Sequence, residues 1–350
     1  MTLKQRVDAF IALGRKIKGI FEEHQPLDEQ QLALKEGIEK AGSANPWFIP
    51  KFTTAALVEI SNMLEAESLQ SWVKNYPSLR AEEALKRVGV IMAGNIPAVG
   101  FHDFLTVLIS GNRIVAKPAS DDHVLLALIA GILIQLEPQF SERIEFTRDK
   151  FTGIDAIIAT GSTNTSRYFE FYFSKYPNII RKSRTSAAVL TGEETAEQLE
   201  ELSNDLFMYF GLGCRNVSKL FVPLGYDPVA LLNACKSWET LLLNNSRYFN
   251  NYEYNKAIFL INREPHFDTG FVLLKESTTA TSPIGVIHFE TYSDKTVLNH
   301  KINMLGESLQ CLVSNVPQNQ RAVGFGKSQR PHLEDYADGV DTLAFLSNLN

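Results

Sequence analysis

From Arg87 onward, short apolar runs alternate with helix-like stretches, and this alternation limits the fold more than any other feature. Residues 88–92 are followed by a predicted helix over 99–110. Residues 113–116 precede a 13-residue apolar run, Val124–Leu136. Residues 156–159 precede a predicted helix over 165–175. A fourth run, 187–190, ends in Thr191-Gly192. Strands alternating with helices predict α/β architecture: a parallel, doubly wound sheet with right-handed crossovers. The loops after the carboxyl ends of such strands are where ligands bind. Val124–Leu136 is shorter than the ~18 residues that a spanning helix needs, so a buried helix is expected and no membrane span.

Residues 1–85 read as helical. Leu3, Val7, Phe10, Leu13 and Ile17 recur at three- and four-residue intervals, which marks one apolar face. Further helices are expected over 53–75 and 79–86. The second half is α/β again. Strands are predicted at 219–222, 257–261, 271–274, 284–289 and Leu309–Val313, with helices at 195–210, 227–243 and 294–305. Four regions follow: a helical region 1–85, an α/β domain 86–205, a second α/β domain 206–325 and a tail 326–350.

The net charge of −6 gives no reason to expect a nucleic acid partner. Three widely spaced cysteines, Cys214, Cys235 and Cys311, oppose a disulfide framework and favour a reducing, cytoplasmic setting. None has metal-ligand spacing, so no metal is expected. No apolar leader opens the chain.

Tyr209-Phe-Gly-Leu-Gly-Cys-Arg-Asn-Val-Ser218 carries the sharpest chemical signal. Gly211 and Gly213 permit tight or left-handed backbone before Cys214. Exposed on such a turn, a thiol near free N–H groups and Arg215 is drawn towards thiolate, the nucleophilic form. The alternative is a small buried hydrophobe, as most free cysteines are. The loops after the first strands hold three more candidates. Asn95 can donate to an oxyanion, or simply form a Gly-Asn turn. Lys117 can hold a ribose or a 2′-phosphate, or stand solvated beside Pro118. Gly161-Ser162 opens a helix, where N–H groups suit a pyrophosphate; Ser162 or Thr163 serves equally as a plain N-cap. No GxGxxG is present.

The order Asn-Ile-Pro, Lys-Pro-Ala, Thr-Gly-Ser, Gly-x-Gly-Cys resembles the aldehyde dehydrogenase superfamily. Gly94-Asn95-Ile96-Pro97 and the short length are similar to its LuxC-type acyl-CoA reductases. The resemblance covers about residues 85–325. It implies an aldehyde-dehydrogenase-like fold, a Rossmann-type sheet plus a second α/β catalytic domain. It implies Cys214 as nucleophile and Asn95, with the Cys214 N–H, as oxyanion donor. Lys117 and Ser120 would lie at the adenosine ribose, Gly161 and Ser162 at the pyrophosphate, and Gly192 beside the cofactor. The matching region for the water-activating glutamate of the oxidising members is Ser186–Gly192, which has no carboxylate. A Glu-x-Phe-Gly-Pro motif is also missing its glutamate at 281–285. Those members carry a glutamate where Ser120 stands, which favours NADPH over NADH here. The implied enzyme is an NADPH-dependent acyl-CoA reductase that yields an aldehyde through a cysteine thioester. Its donor is an acyl-CoA or an acyl carrier protein, and a homo-oligomer is compatible with it. The alternatives are an aldehyde dehydrogenase running towards acid or acyl-CoA, and a non-catalytic acyl- or nucleotide-binding subunit. His102 and His288 are read as structural.

Overall fold

The computed structural model describes residues 1–22, 26–80, 85–316 and 322–349. The helix expected over 79–86 lies largely outside them. The chain divides into two compact units, Met1–Lys182 with His332–Asn350, and Ser183–Pro331.

The first unit opens with four helices, α1 Leu3–Gly19, α2 Glu29–Ala44, α3 Pro50–Met63 and α4 Ala66–Lys74. Capping boxes at Thr2 and Asp28 start the first two. The apolar stripe read from the sequence packs inward: Val7, Phe10, Leu13 and Ile17 are all buried. The sheet comprises β1 Arg87–Ile91, β2 Arg113–Lys117, β3 Ile144–Phe146, β4 Ala156–Thr160 and β5 Asn178–Arg181. All pairings are parallel, in the order β3-β2-β1-β4-β5. Helices α5 Phe101–Ile109, α6 Val124–Leu136 and α7 Thr163–Phe173 make crossovers. The doubly wound sheet is therefore present, with its order reversing between β1 and β4. The C-terminal apolar run forms a helix, Thr342–Ser347, that packs into this unit's core through Leu343 and Leu346.

Expectation and structure part at residues 187–190. Residues 187–189 of that run belong to β6 Thr185–Val189, which is in the second unit's sheet. The fifth strand of the first sheet is Asn178–Arg181 instead. The division falls after Lys182, not near 205, because the strand that ends the first sheet leads straight into the strand of the next. The second sheet adds β7 Val217–Pro223, β8 Phe267–Asp268, β9 Leu273–Glu276, β10 Val286–Tyr292, β11 Leu309–Val313 and β12 Ala322–Val323. Its order is β12-β11-β6-β7-β10-β9-β8, parallel except for β8. The strand expected at 257–261 is instead the end of a helix, Ser246–Ile261. No helix among the described residues is long and apolar enough to cross a membrane.

Candidate active site

In the first unit, the carboxyl ends of β1, β2 and β4 collect Gly94-Asn95, Lys117 and Gly161-Ser162. The strand order reverses between β1 and β4, and the carboxyl end of such a reversal is the usual ligand position in these sheets. Gly94 is required by contact, since an added Cβ would meet the Ala119 Cβ at 2.5 Å. Asn45 Nδ2 donates to the Gly94 carbonyl at 3.4 Å, which fixes the loop from the helical region. Beyond half-buried Asn95, Ala98 takes a left-handed φ of 53°. The buried carboxyl of Asp122 faces the N–H groups of Ala98 and Val99. Burial pushes that carboxyl up to about 7, and the two N–H groups pull it back.

Lys117 Nζ donates to the Asp149 carbonyl at 3.1 Å. Ser120 is exposed and its hydroxyl donates to Asp121. Ser162 is the N-cap of α7, its Oγ accepting from Thr165 N–H at 3.2 Å. A Cβ at Gly161 would press on Phe169 at 2.9 Å, so close packing of this helix explains the glycine.

In the second unit, helix α8, Ala196–Phe207, leads into the cysteine turn. Tyr209, Phe210 and Gly211 follow one another at φ 51°, 57° and 74°. Left-handed backbone at non-glycine residues costs about 1–3 kcal/mol each and persists only where its surroundings enforce it. Asn216 supplies much of that enforcement. Its Oδ1 accepts from Gly213 N–H at 2.8 Å, and its Nδ2 donates to the carbonyls of Met208 at 2.9 Å and Asp205 at 3.1 Å. Arg215 Nε donates to the Ser328 carbonyl at 2.6 Å. The buried Asp205 carboxylate receives N–H groups from Gly326 and Ser328 in turn. Ser186 Oγ donates to the Cys214 carbonyl at 3.0 Å. Of the three thiols only Cys214 is exposed. Burial pushes the Cys235 thiol up to about 12.

Register locates the turn. Ser186 pairs with Val217 and Val189 with Phe221, so Cys214 enters at the amino edge of the sheet. Gly192 lies at the opposite edge, in the second unit. Its φ of 87° and an added Cβ only 3.3 Å from Pro223 account for it as a turn glycine. Glu194 folds back on the same turn, accepting from Thr191 N–H at 2.6 Å and Gly192 N–H at 3.0 Å. The part of β6 beside Cys214 is Thr185–Ser186, and no Asp or Glu occurs from Phe171 through Gly192.

His102 Nε2 lies 3.0 Å from the Leu333 carbonyl, and burial lowers its pKa. His288 is held near Thr279 Oγ1 at 2.9 Å, and burial pushes it down to about 4. Both stay neutral at pH 7 and serve the fold. Sequence reasoning missed Ser186, Asn216, Lys219 and Asp122. Lys219 on β7 is fully buried, pairs with Glu290 on β10 and donates to the Ser277 carbonyl at 3.2 Å. Its one available sign was a lysine inside an apolar strand.

The acyl-CoA reductase (LuxC) family matches residues 51–225, half of the chain. The chain belongs to the LuxC acyl-CoA reductase family. It is an oxidoreductase with the aldehyde dehydrogenase fold. Aldehyde dehydrogenase 21 from Physcomitrella patens superposes with a TM-score of 0.68 at 11% identity, covering 100% of this chain and 84% of that one. An NAD-dependent benzaldehyde dehydrogenase from Corynebacterium glutamicum gives 0.64 at 13%, over 90% and 76%. The aldehyde dehydrogenase KauB from Pseudomonas aeruginosa gives 0.60 at 13%, over 93% and 81%. No curated protein matches the sequence. Family membership rests on residues of both units, since the match runs from α3 through β7.

Proposed function

We propose that this LuxC-family reductase converts an acyl-CoA thioester to the aldehyde, using NADPH, through an acyl-enzyme on Cys214. The observation that carries this reading is the contrast among the thiols: Cys214 is exposed on a braced, strained turn, while Cys235 and Cys311 are buried. The Cys214 thiolate attacks the thioester carbonyl, and the C–S bond to CoA breaks. CoA leaves as the thiolate and takes a proton from solvent. Asn95 and the Cys214 N–H are the proposed donors to the oxyanion, each typically worth ~3–4 kcal/mol.

The groups at the carboxyl edge of the first sheet fit a dinucleotide. The eleven-residue α7 directs its N-terminal N–H groups outward at exposed Ser162, and Lys117 ends the strand beside β1. A reduced nicotinamide held by these groups would supply the hydride that reduces the acyl group. Breaking the bond to Sγ then frees the aldehyde and restores the thiolate. Ser120 brings no charge to the end of β2 and Asp122 is turned inward, which together with Lys117 supports the 2′-phosphate of NADPH.

The test is acyl transfer from radiolabelled acyl-CoA, followed by intact-protein mass measurement. Cys235→Ala and Cys311→Ala should take the label, and Cys214→Ala should not. Label retained on Cys214→Ala would defeat the assignment.

A further inference from the structure

We propose that Ser186 is a positioning residue for the nucleophile: its hydroxyl fixes the peptide that carries Cys214. This rests on Cys214 being the acylated residue. Ser186 is the second residue of β6 and is fully buried. Its Oγ donates to the Cys214 carbonyl at 3.0 Å and accepts the Cys311 N–H at 3.2 Å. Cys311 Sγ also lies 3.0 Å from the same oxygen. A hydroxyl has one proton, and the Cys214 carbonyl takes it. The Cys311 thiol is therefore the donor to Ser186. The result is a chain of donors, Cys311 to Ser186 to Cys214, spanning three elements.

The strand ladders explain why a side chain does this. Between β6 and β11, register runs from Thr185–Leu309 to Ala187–Leu312, so Gln310 and Cys311 together face Ser186. Between β6 and β7, it runs from Ser186–Val217 to Ala187–Lys219, which leaves Ser218 as an extra residue. Both neighbouring strands bulge at Ser186. A bulge leaves backbone groups without their ladder partners. The Ser186 hydroxyl serves one of them, the Cys311 N–H in β11, and reaches past the start of β7 to the Cys214 C=O in the turn. That carbonyl belongs to the residue whose sulfur reacts. Holding that carbonyl fixes ψ at Cys214, and with it the setting of the Cα that carries the thiol and of the preceding N–H proposed for the oxyanion.

The experiment compares Ser186→Ala, Ser186→Cys and Cys214→Ala with the parent. The readouts are the single-turnover rate of CoA release, its dependence on acyl-CoA concentration, and the thermal midpoint. A displacement of order 1 Å at a reacting group can cost roughly a hundredfold. Ser186→Ala should therefore release CoA about ten- to a hundredfold more slowly, with an unchanged half-saturating acyl-CoA concentration. A purely structural role would lower the midpoint and leave the rate of the folded fraction alone. If Ser186→Ala does not fold, Ser186→Cys keeps the volume with a weaker donor and should still be slowed. CoA release within twofold of the parent in a folded variant overturns the proposal, provided that Cys214→Ala is inactive. Activity in Cys214→Ala would instead sink the choice of nucleophile.

Discussion

Gly94 and Ala119 touch so closely that a methyl group on the glycine would sit 2.5 Å from the alanine Cβ. The contact joins the Gly-Asn loop after β1 to the Lys-Pro-Ala end of β2. The backbone there is not left-handed, so Gly94→Ala is a test of space alone. Neither Ala119 nor the strand below it can swing away as a long side chain could. Overpacking of this kind typically costs about 1–3 kcal/mol. The shift should displace Asn95, so acylation should slow beyond what the urea midpoint explains. Normal acylation at a normal midpoint would mean that the loop tolerates movement.

Lys117 offers a test of cofactor choice. Its ammonium already leans on the Asp149 carbonyl, which leaves further N–H groups for a ligand. If these pair with a 2′-phosphate, Lys117→Ala should weaken NADPH far more than NADH. Loss of a charge-assisted hydrogen bond is worth ~1.5–3 kcal/mol, or about ten- to a hundredfold in Kd. Fluorescence titration with both cofactors gives the answer. Equal losses would limit Lys117 to the parts that the two share.

Strands β1, β2 and β4 of the first sheet were legible because each ends in a glycine- or proline-bearing turn, whereas the three-residue β3 went unread. Residues 178–181 were not legible either. That strand is four residues long and ends in Arg181, whose buried charge is paired with Asp103 at 2.6 Å. Nothing local to either residue announces the pair. The run at 257–261 misled for the opposite reason. Its apolar residues suggest burial, yet Leu260 and Ile261 are exposed at a helix end. The cysteine turn itself was legible from its glycines, although only Gly211 has positive φ. What holds the turn was not, because Ser186, Cys311 and Ser328 reach it from distant segments. Hydrogen bonds of that span leave no period in a sequence.

Asp122 makes stability depend on pH in a predictable direction. Its carboxyl titrates at about 7 in the folded protein, against roughly 3.9 when unfolded. Folding therefore favours the protonated form. That contribution is complete below pH ~4 and is lost as pH rises towards 7. Asp122→Asn should gain stability relative to the parent over this window, by at most about 4 kcal/mol at pH 8. Urea unfolding of both proteins from pH 4.5 to 8 measures it. A constant difference would mean that Asp122 ionises like an exposed aspartate. His288, lowered to about 4, works in the other sense: its contribution is lost as pH falls from 6.5 towards 4.

The remaining prediction concerns direction of turnover. No carboxylate lies from Phe171 through Gly192, and the first one beyond, at Glu193–Glu194, is at the far edge of the sheet from Cys214. Glu194 is further occupied by the Thr191 and Gly192 N–H groups. A positioned general base typically contributes ~10²–10⁴-fold to attack by water. Without one here, the Cys214 acyl-enzyme should hydrolyse slowly and outlast many turnovers of an oxidising relative. Given acyl-CoA alone, the protein should release one equivalent of CoA and stall. NADPH should then discharge it as aldehyde, and free CoA should return acyl-CoA. With aldehyde and NADP⁺, turnover should require CoA or another thiol. Rapid quench with chromatography of acid, aldehyde and thioester separates these outcomes. Fast formation of free acid without a thiol would mean that a base outside 171–192 reaches the acyl carbon.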